Sequence, residues 1–154
     1  MANTETLLGD WLVRAKRKTN AHTSSASHYE FLHRVIGIPS VIFSTVTGTA
    51  VIAQQTAKDP SEWTWWIVLL VVLAAILSSL QTFLDYGSRA KQHKTTAAAF
   101  GVLRRKIQYT LDYKPDADKS EIESIGNIFD DITGDEPIIP SKIWREVEKK
   151  YPRN

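Results

Sequence analysis

The chain has 154 residues, no cysteine, and a formal net charge of +2. The lack of cysteine excludes disulfides, thiolate metal sites and a cysteine nucleophile. So small a net charge says less than its placement, and the mean hydropathy of −0.22 conceals two uncharged apolar stretches, 35–57 and 63–84.

Residues 1–34 read as an N-terminal helix on the cytoplasmic side. Leu7, Leu8, Trp11, Leu12 and Ala15 recur at helical spacing. Thr23, Ser24 and Ser25 make residues 19–27 a softer stretch where a loosening or kink is expected. No h-region with a small-residue cleavage site precedes the apolar stretches, so a signal peptide is not expected.

The stretch 35–57 contains no Asp, Glu, Lys or Arg and is long enough to span a bilayer. Gly37 and Pro39 stand at its entrance as a candidate hinge. Proline removes a backbone donor and crowds the preceding turn, so a kink or a restart is expected near Gly37, with the spanning helix running over 38–55. The polar segment 58–62 reads as a short outer turn.

The second stretch, 63–84, would extend about 33 Å as a helix, against a hydrocarbon core of roughly 30 Å. Trp63, Trp65 and Trp66 at one end and Tyr86 at the other are the expected interface anchors. Arg89 could join Tyr86 there. With no proline and one isolated glycine over 89–111, a single helix is expected from Trp63 to about Asp112. Its cytoplasmic part carries a stripe of Ala97, Phe100, Leu103, Ile107 and Leu111.

Two short helices follow within the cytoplasmic region 85–154. Ser120 with Glu123 fits a capping box, ahead of an apolar face of Ile122, Ile125, Phe129 and Ile132. Ser141 is the expected cap of a last helix anchored by Ile143, Trp144 and Val147. Such short helices need a surface to pack on. The fold class is therefore an all-α membrane protein. It is a two-transmembrane helical hairpin with long cytoplasmic helical extensions and short C-terminal helices.

Arg14, Lys16, Arg17, Lys18 and Arg34 precede the first span, Lys58 alone separates the spans, and Arg89, Lys91 and Lys94 follow the second. Cytoplasmic flanks carry the excess of Lys and Arg, which puts both termini on the cytoplasmic side.

The first span is rich in small and hydroxyl residues. Ser40, Ser44 and Gly48 repeat at spacing four, Thr47 and Gln54 extend one side, and Ser78, Gln81 and Asp85 give the second span a weaker match. Small residues let membrane helices approach closely, so these positions either glue the hairpin together or leave a polar face for other copies. Two helices cannot enclose a pore, so the second possibility requires a homo-oligomer. Asp85 also fits a headgroup-level position.

His28 and His93, each about ten residues inside the membrane edge by helix counting, are the pair that could sense pH or hold a metal; histidines without a role are the commoner case. The acidic run 130–136 lacks the ligand order of a calcium loop and reads as a solvated helix end. The basic runs 14–18 and 104–106 lack the aromatic interleaving of a single-strand binder and read as solvated faces, so direct nucleic-acid binding is not expected. No phosphate loop, nucleophile elbow or acid/base carboxylate pair is present, so neither catalysis nor a cofactor is expected.

Taken together, Trp11, Arg14, His22 and Tyr29, the small-rich runs 37–40 and 44–50, the stretch 80–84 leading to Arg89 and His93, and Ile139-Pro140-Ser141 before the last helix resemble the SLATT family of bacterial two-transmembrane effectors. The resemblance covers about 7–151. It implies a multi-pass protein of the bacterial inner membrane that oligomerises and forms a pore in antiphage defence, ending in cell suicide or growth arrest. The partners it implies are a cytoplasmic sensor, a nucleotidyltransferase-type enzyme or a reverse transcriptase. The other reading is a membrane anchor or scaffold whose cytoplasmic bundle recruits a partner.

Overall fold

The computed structural model describes residues 2–56, 64–114 and 117–152, and the side chains of 4–52, 65–114 and 117–152. Among these the regular structure is all helical: α1 (Ala2–Thr56), α2 (Thr64–Leu84), α3 (Tyr86–Tyr113), α4 (Lys119–Gly134) and α5 (Ser141–Lys150). The outer turn 58–62 and Trp63 lie outside the described residues.

Residues 1–28 and 89–154 form one compact unit and residues 29–88 a second. The first has a core of Leu8, Ala15, Phe100, Leu103, Ile107, Ile125 and Phe129, with Trp11, Leu12, Leu111, Ile128 and Ile132 packed against it. The stripe expected on α3 is therefore a packing face, and α4 buries Ile125 and Phe129 as its periodicity requires. Val147 is the buried residue of α5.

In the second unit α1 and α2 pair antiparallel. Tyr29 stacks on Tyr86 with ring centroids 5.9 Å apart, and a β-carbon on Gly37 would sit 3.5 Å from Gln81 Nε2. The less exposed positions recur at helical spacing: Ile36, Ser40, Phe43 and Thr47 on α1, and Ile67, Leu70, Ala74, Leu77 and Gln81 on α2. The opposite faces expose Val41, Ile42, Val46, Leu69, Val72 and Ile76. Of the most apolar stretch of α1 only 17% is buried, and of that in α2 only 6%. A core helix of a water-soluble domain would be largely covered, so these two helices have the length and surface to cross a membrane.

Four local expectations are corrected. The helix does not restart at Gly37 and Pro39: α1 runs unbroken with Pro39 inside it. Proline removes one donor, but its fixed φ is helical, so the surrounding hydrogen bonds carry the helix past it.

The single helix from Trp63 to Asp112 is instead two, divided at Asp85, whose φ of 41° lies in the left-handed region. Aspartate is among the few side chains that tolerate this conformation. Its backbone N–H closes α2 on Gln81 O (3.3 Å), and its carboxylate accepts from Ser88 N (3.4 Å) at the start of α3.

The cap of α4 is Asp118, accepting from Glu121 N at 2.8 Å, so the capping pair lies two residues before Ser120 and Glu123. Pro140, without a side-chain cap bond, precedes α5, and Ser141 is its first helical residue. Proline's preset φ suits a helix entrance, which leaves Ser141 past the capping position.

Candidate functional site

The polar positions of the first span divide by their place on α1. Ser40 and Thr47 are buried, and the Thr47 hydroxyl has no hydrogen-bond partner among the described residues. Ser44 and Gly48 are exposed, and a β-carbon on Gly48 would meet nothing within 4 Å. Gln54 lies in α1, with its side chain outside those described. On α2, Ser78 is exposed and Gln81 half-buried.

Four exposed hydroxyls of the hairpin are satisfied within their own helices. Thr45 donates to Val41 O (2.9 Å), Thr49 to Thr45 O (2.9 Å), Ser79 to Ala75 O (2.8 Å) and Thr82 to Ser78 O (3.1 Å). A hydroxyl bonded to its i−4 carbonyl can face an apolar medium without an orphaned donor. Trp65 and Trp66 are exposed and stack 3.8 Å apart; Asp85 is exposed and caps α3.

The densest polar chemistry lies in the first unit, at a place the sequence reading missed. His22 of α1 and His93 of α3 are both buried, with their Nδ1 atoms 2.9 Å apart. His22 Nε2 lies 3.3 Å from Glu136 Oε2, and Glu136 Oε1 accepts from the ammonium of Lys18. Phe100 stacks on the His22 ring, 5.9 Å between centroids and 11° between planes.

The expected pairing of His28 with His93 is thus corrected: His28 is exposed, and His22 is the partner. Counting depth along an axis ignores position around it, and six residues separate His22 from His28. Glu136, read as part of a solvated acidic end, belongs to this buried network.

The hydrogen bonds suggest one tautomer set. If the Glu136 carboxylate accepts from His22 Nε2–H, neutral His22 accepts at Nδ1 and His93 Nδ1–H donates. Burial lowers the His22 pKa, opposed by Glu136 and assisted by Lys18. Burial, then the neighbouring His22 charge, lowers that of His93 to about 4. Two Nδ1 protons cannot face each other at 2.9 Å, so this pair accommodates one added proton and not two. Among the described residues no group of three His, Cys, Asp or Glu side chains is arranged to hold a metal ion.

Beside this network Arg17 is only 4% exposed, which corrects its assignment to a solvated basic face. Its Nε and Nη2 have no hydrogen-bond partner among the described residues, and neither has Thr133 Oγ1. Both residues line a cleft of about 280 Å³ with Arg14, Lys18, Phe129 and Trp144. Helical periodicity does not flag Arg17, because it shares a basic run with exposed Arg14 and Lys16.

The fold and this site define an all-helical protein with two helices capable of crossing a membrane and a polar, partly buried centre in a separate helical unit. The chain belongs to the family described as a protein of unknown function (DUF4231), whose model matches residues 17–115. That stretch takes in Arg17, Lys18, His22, both apolar stretches and His93, and stops before α4. No curated protein and no solved structure matches the chain.

Proposed function

We propose that this chain is a membrane effector of the SLATT type, with the hairpin in the bacterial inner membrane and both termini cytoplasmic. Copies associate to form a pore or permeabilise the membrane in antiphage defence, on a signal from a nucleotide-signalling or sensing partner. The observation that carries this reading is the division of α1 into two small-residue faces. Ser40 and Thr47 lie on the hairpin's own packing face, whereas Ser44 and Gly48 are exposed with open space at Gly48. A small exposed face on a membrane helix suits close approach by another copy.

Expression of the chain with its trigger should depolarise cells, and Ser44→Leu and Gly48→Leu should abolish this at equal membrane abundance. Depolarisation by both variants at the level of the unmodified chain contradicts a working role for that face.

A second reading, an anchor or scaffold, is favoured by the separate core of the first unit. An unrelated hairpin replacing both spans would then preserve activity, whereas the effector reading requires its loss.

A further inference from the structure

The Arg17 cleft presents an electrostatic problem that the protein's described side chains leave unsolved. A buried guanidinium without a partner is costly, because its lost hydration is not replaced. Nε and Nη2, the two orphaned nitrogens, form one edge of the guanidinium, and their N–H groups run parallel. That edge is the fork that meets two oxygens of a carboxylate or phosphate at once. The acidic side chain nearest in the network, Glu136, is engaged by Lys18 and His22.

The rest of the cleft agrees with an anionic occupant. Arg14 and Lys18 add positive charge, and the orphaned Thr133 hydroxyl adds a donor on the same wall. Phe129 and Trp144 make the remaining wall apolar and flat, suited to a ring or a short hydrocarbon part. A volume of about 280 Å³ is at the small end of ligand pockets.

We propose that this cleft binds the phosphate group of a small ligand, held by the Nε–Nη2 edge of Arg17, the Thr133 hydroxyl and Arg14, with an apolar part against Phe129 and Trp144. Arg14 and Arg17, the cationic side chains of the cleft that Glu136 does not engage, favour a doubly charged phosphate over a singly charged carboxylate. The proposal does not rest on the membrane role above, because every residue it uses belongs to the first unit and binding is measured without any assay of permeability.

The test uses the full chain purified in a neutral detergent, with thermal unfolding followed in inorganic phosphate, in phenyl phosphate and in sodium chloride of matched ionic strength. A ligand that binds only the folded chain raises the unfolding midpoint with the logarithm of its concentration above Kd. Phosphate should raise the midpoint above chloride, and phenyl phosphate should do so at lower concentration. Arg14→Gln, at an exposed position, should weaken phenyl phosphate binding about tenfold, the scale of one charge-assisted hydrogen bond. Thr133→Val removes an unpartnered hydroxyl, so it should leave the ligand-free midpoint unchanged or higher while weakening binding.

Arg17→Gln should abolish binding. Should that variant fail to fold, Arg14→Gln and Thr133→Val decide the matter. Bicelles with and without phosphatidylglycerol separate a lipid headgroup from a soluble phosphate. Stabilisation by that lipid in the unmodified chain, lost in Arg14→Gln, assigns the site to the headgroup; stabilisation by phenyl phosphate alone assigns it to a soluble ligand. No phosphate-specific shift with any of these probes, or equal shifts in the unmodified chain and both variants, overturns the proposal.

Discussion

Trp11 lies directly over Gly126. A β-carbon at Gly126 would stand 3.0 Å from the Trp11 ring carbon Cη2, and the same ring stacks on Phe129 at 6.5 Å. A glycine inside α4 weakens that helix by roughly 0.5–1 kcal/mol relative to alanine, so its value is the room it leaves for the indole. Gly126→Val should destabilise the first unit by about 1–3 kcal/mol through overpacking. Thermal unfolding of the detergent-solubilised chain measures this, and an unchanged midpoint contradicts the packing described.

The entrance of α4 separates two candidate caps. Asp118→Ala should lower the unfolding midpoint, because the Glu121 N–H loses its acceptor. Ser120→Ala should lower it less, because the Glu121 N–H keeps its acceptor and only the Ser120 hydroxyl's contact with the Asp118 carboxylate is lost. The Glu121 N–H, and after it the Ser120 hydroxyl, hold the Asp118 carboxyl below its ordinary pKa. The cap is therefore intact at neutral pH and is lost as acidification protonates the carboxylate.

The His22–His93 pair gives stability a definite sign with pH. Both histidines titrate below their ordinary value in the folded chain, His93 at about 4, whereas the unfolded chain takes up these protons near pH 6.5. The unfolded state binds more protons between those limits, so stability is complete above about pH 6.5 and falls as pH drops toward 4. Unfolding midpoints from pH 7.5 to 4 should decline, and His93→Asn should flatten the decline. An equally steep decline in that variant assigns the pH response to other groups.

The two glycines of the first span should respond differently. Gly37 faces Gln81 across the hairpin, so Gly37→Leu forces α1 and α2 apart and lowers the unfolding midpoint. Gly48 faces open space, so Gly48→Leu should leave the single-chain midpoint unchanged and, if copies pack on that face, shift the oligomer distribution seen by native mass spectrometry.

Much of this architecture is legible in residue order, because the forces that set it are local and periodic. The stripe from Ala97 to Leu111 and the face of Ile125 and Phe129 announce their packing by spacing alone. Asp85 escaped because no proline or glycine occupies the break; the signal present is an aspartate three residues before Ser88, a capping pattern inside an apparently continuous helix. Pro39 misled in the opposite direction, since a single missing donor does not end a helix held on both sides. The His22–His93 contact joins positions 71 residues apart, and no periodic argument reaches across two helices to choose a partner. Arg17 was obscured by the exposed charges beside it.

The first unit is assembled from both ends of the chain, and that has a consequence for its biogenesis. Lys18 meets Glu136 across 118 positions, and Leu8 and Ala15 share a core with Phe129. During synthesis the first 28 residues leave the ribosome long before the helices that will cover them. The hairpin of residues 29–88 is made in between and needs neither end to pair. The hairpin can therefore settle first, while the terminal bundle closes only after α4 has emerged, like a clasp fastened once the strap is threaded. A chain released early, before Phe129, would carry both apolar helices with an unfinished bundle and no complete Arg17 cleft.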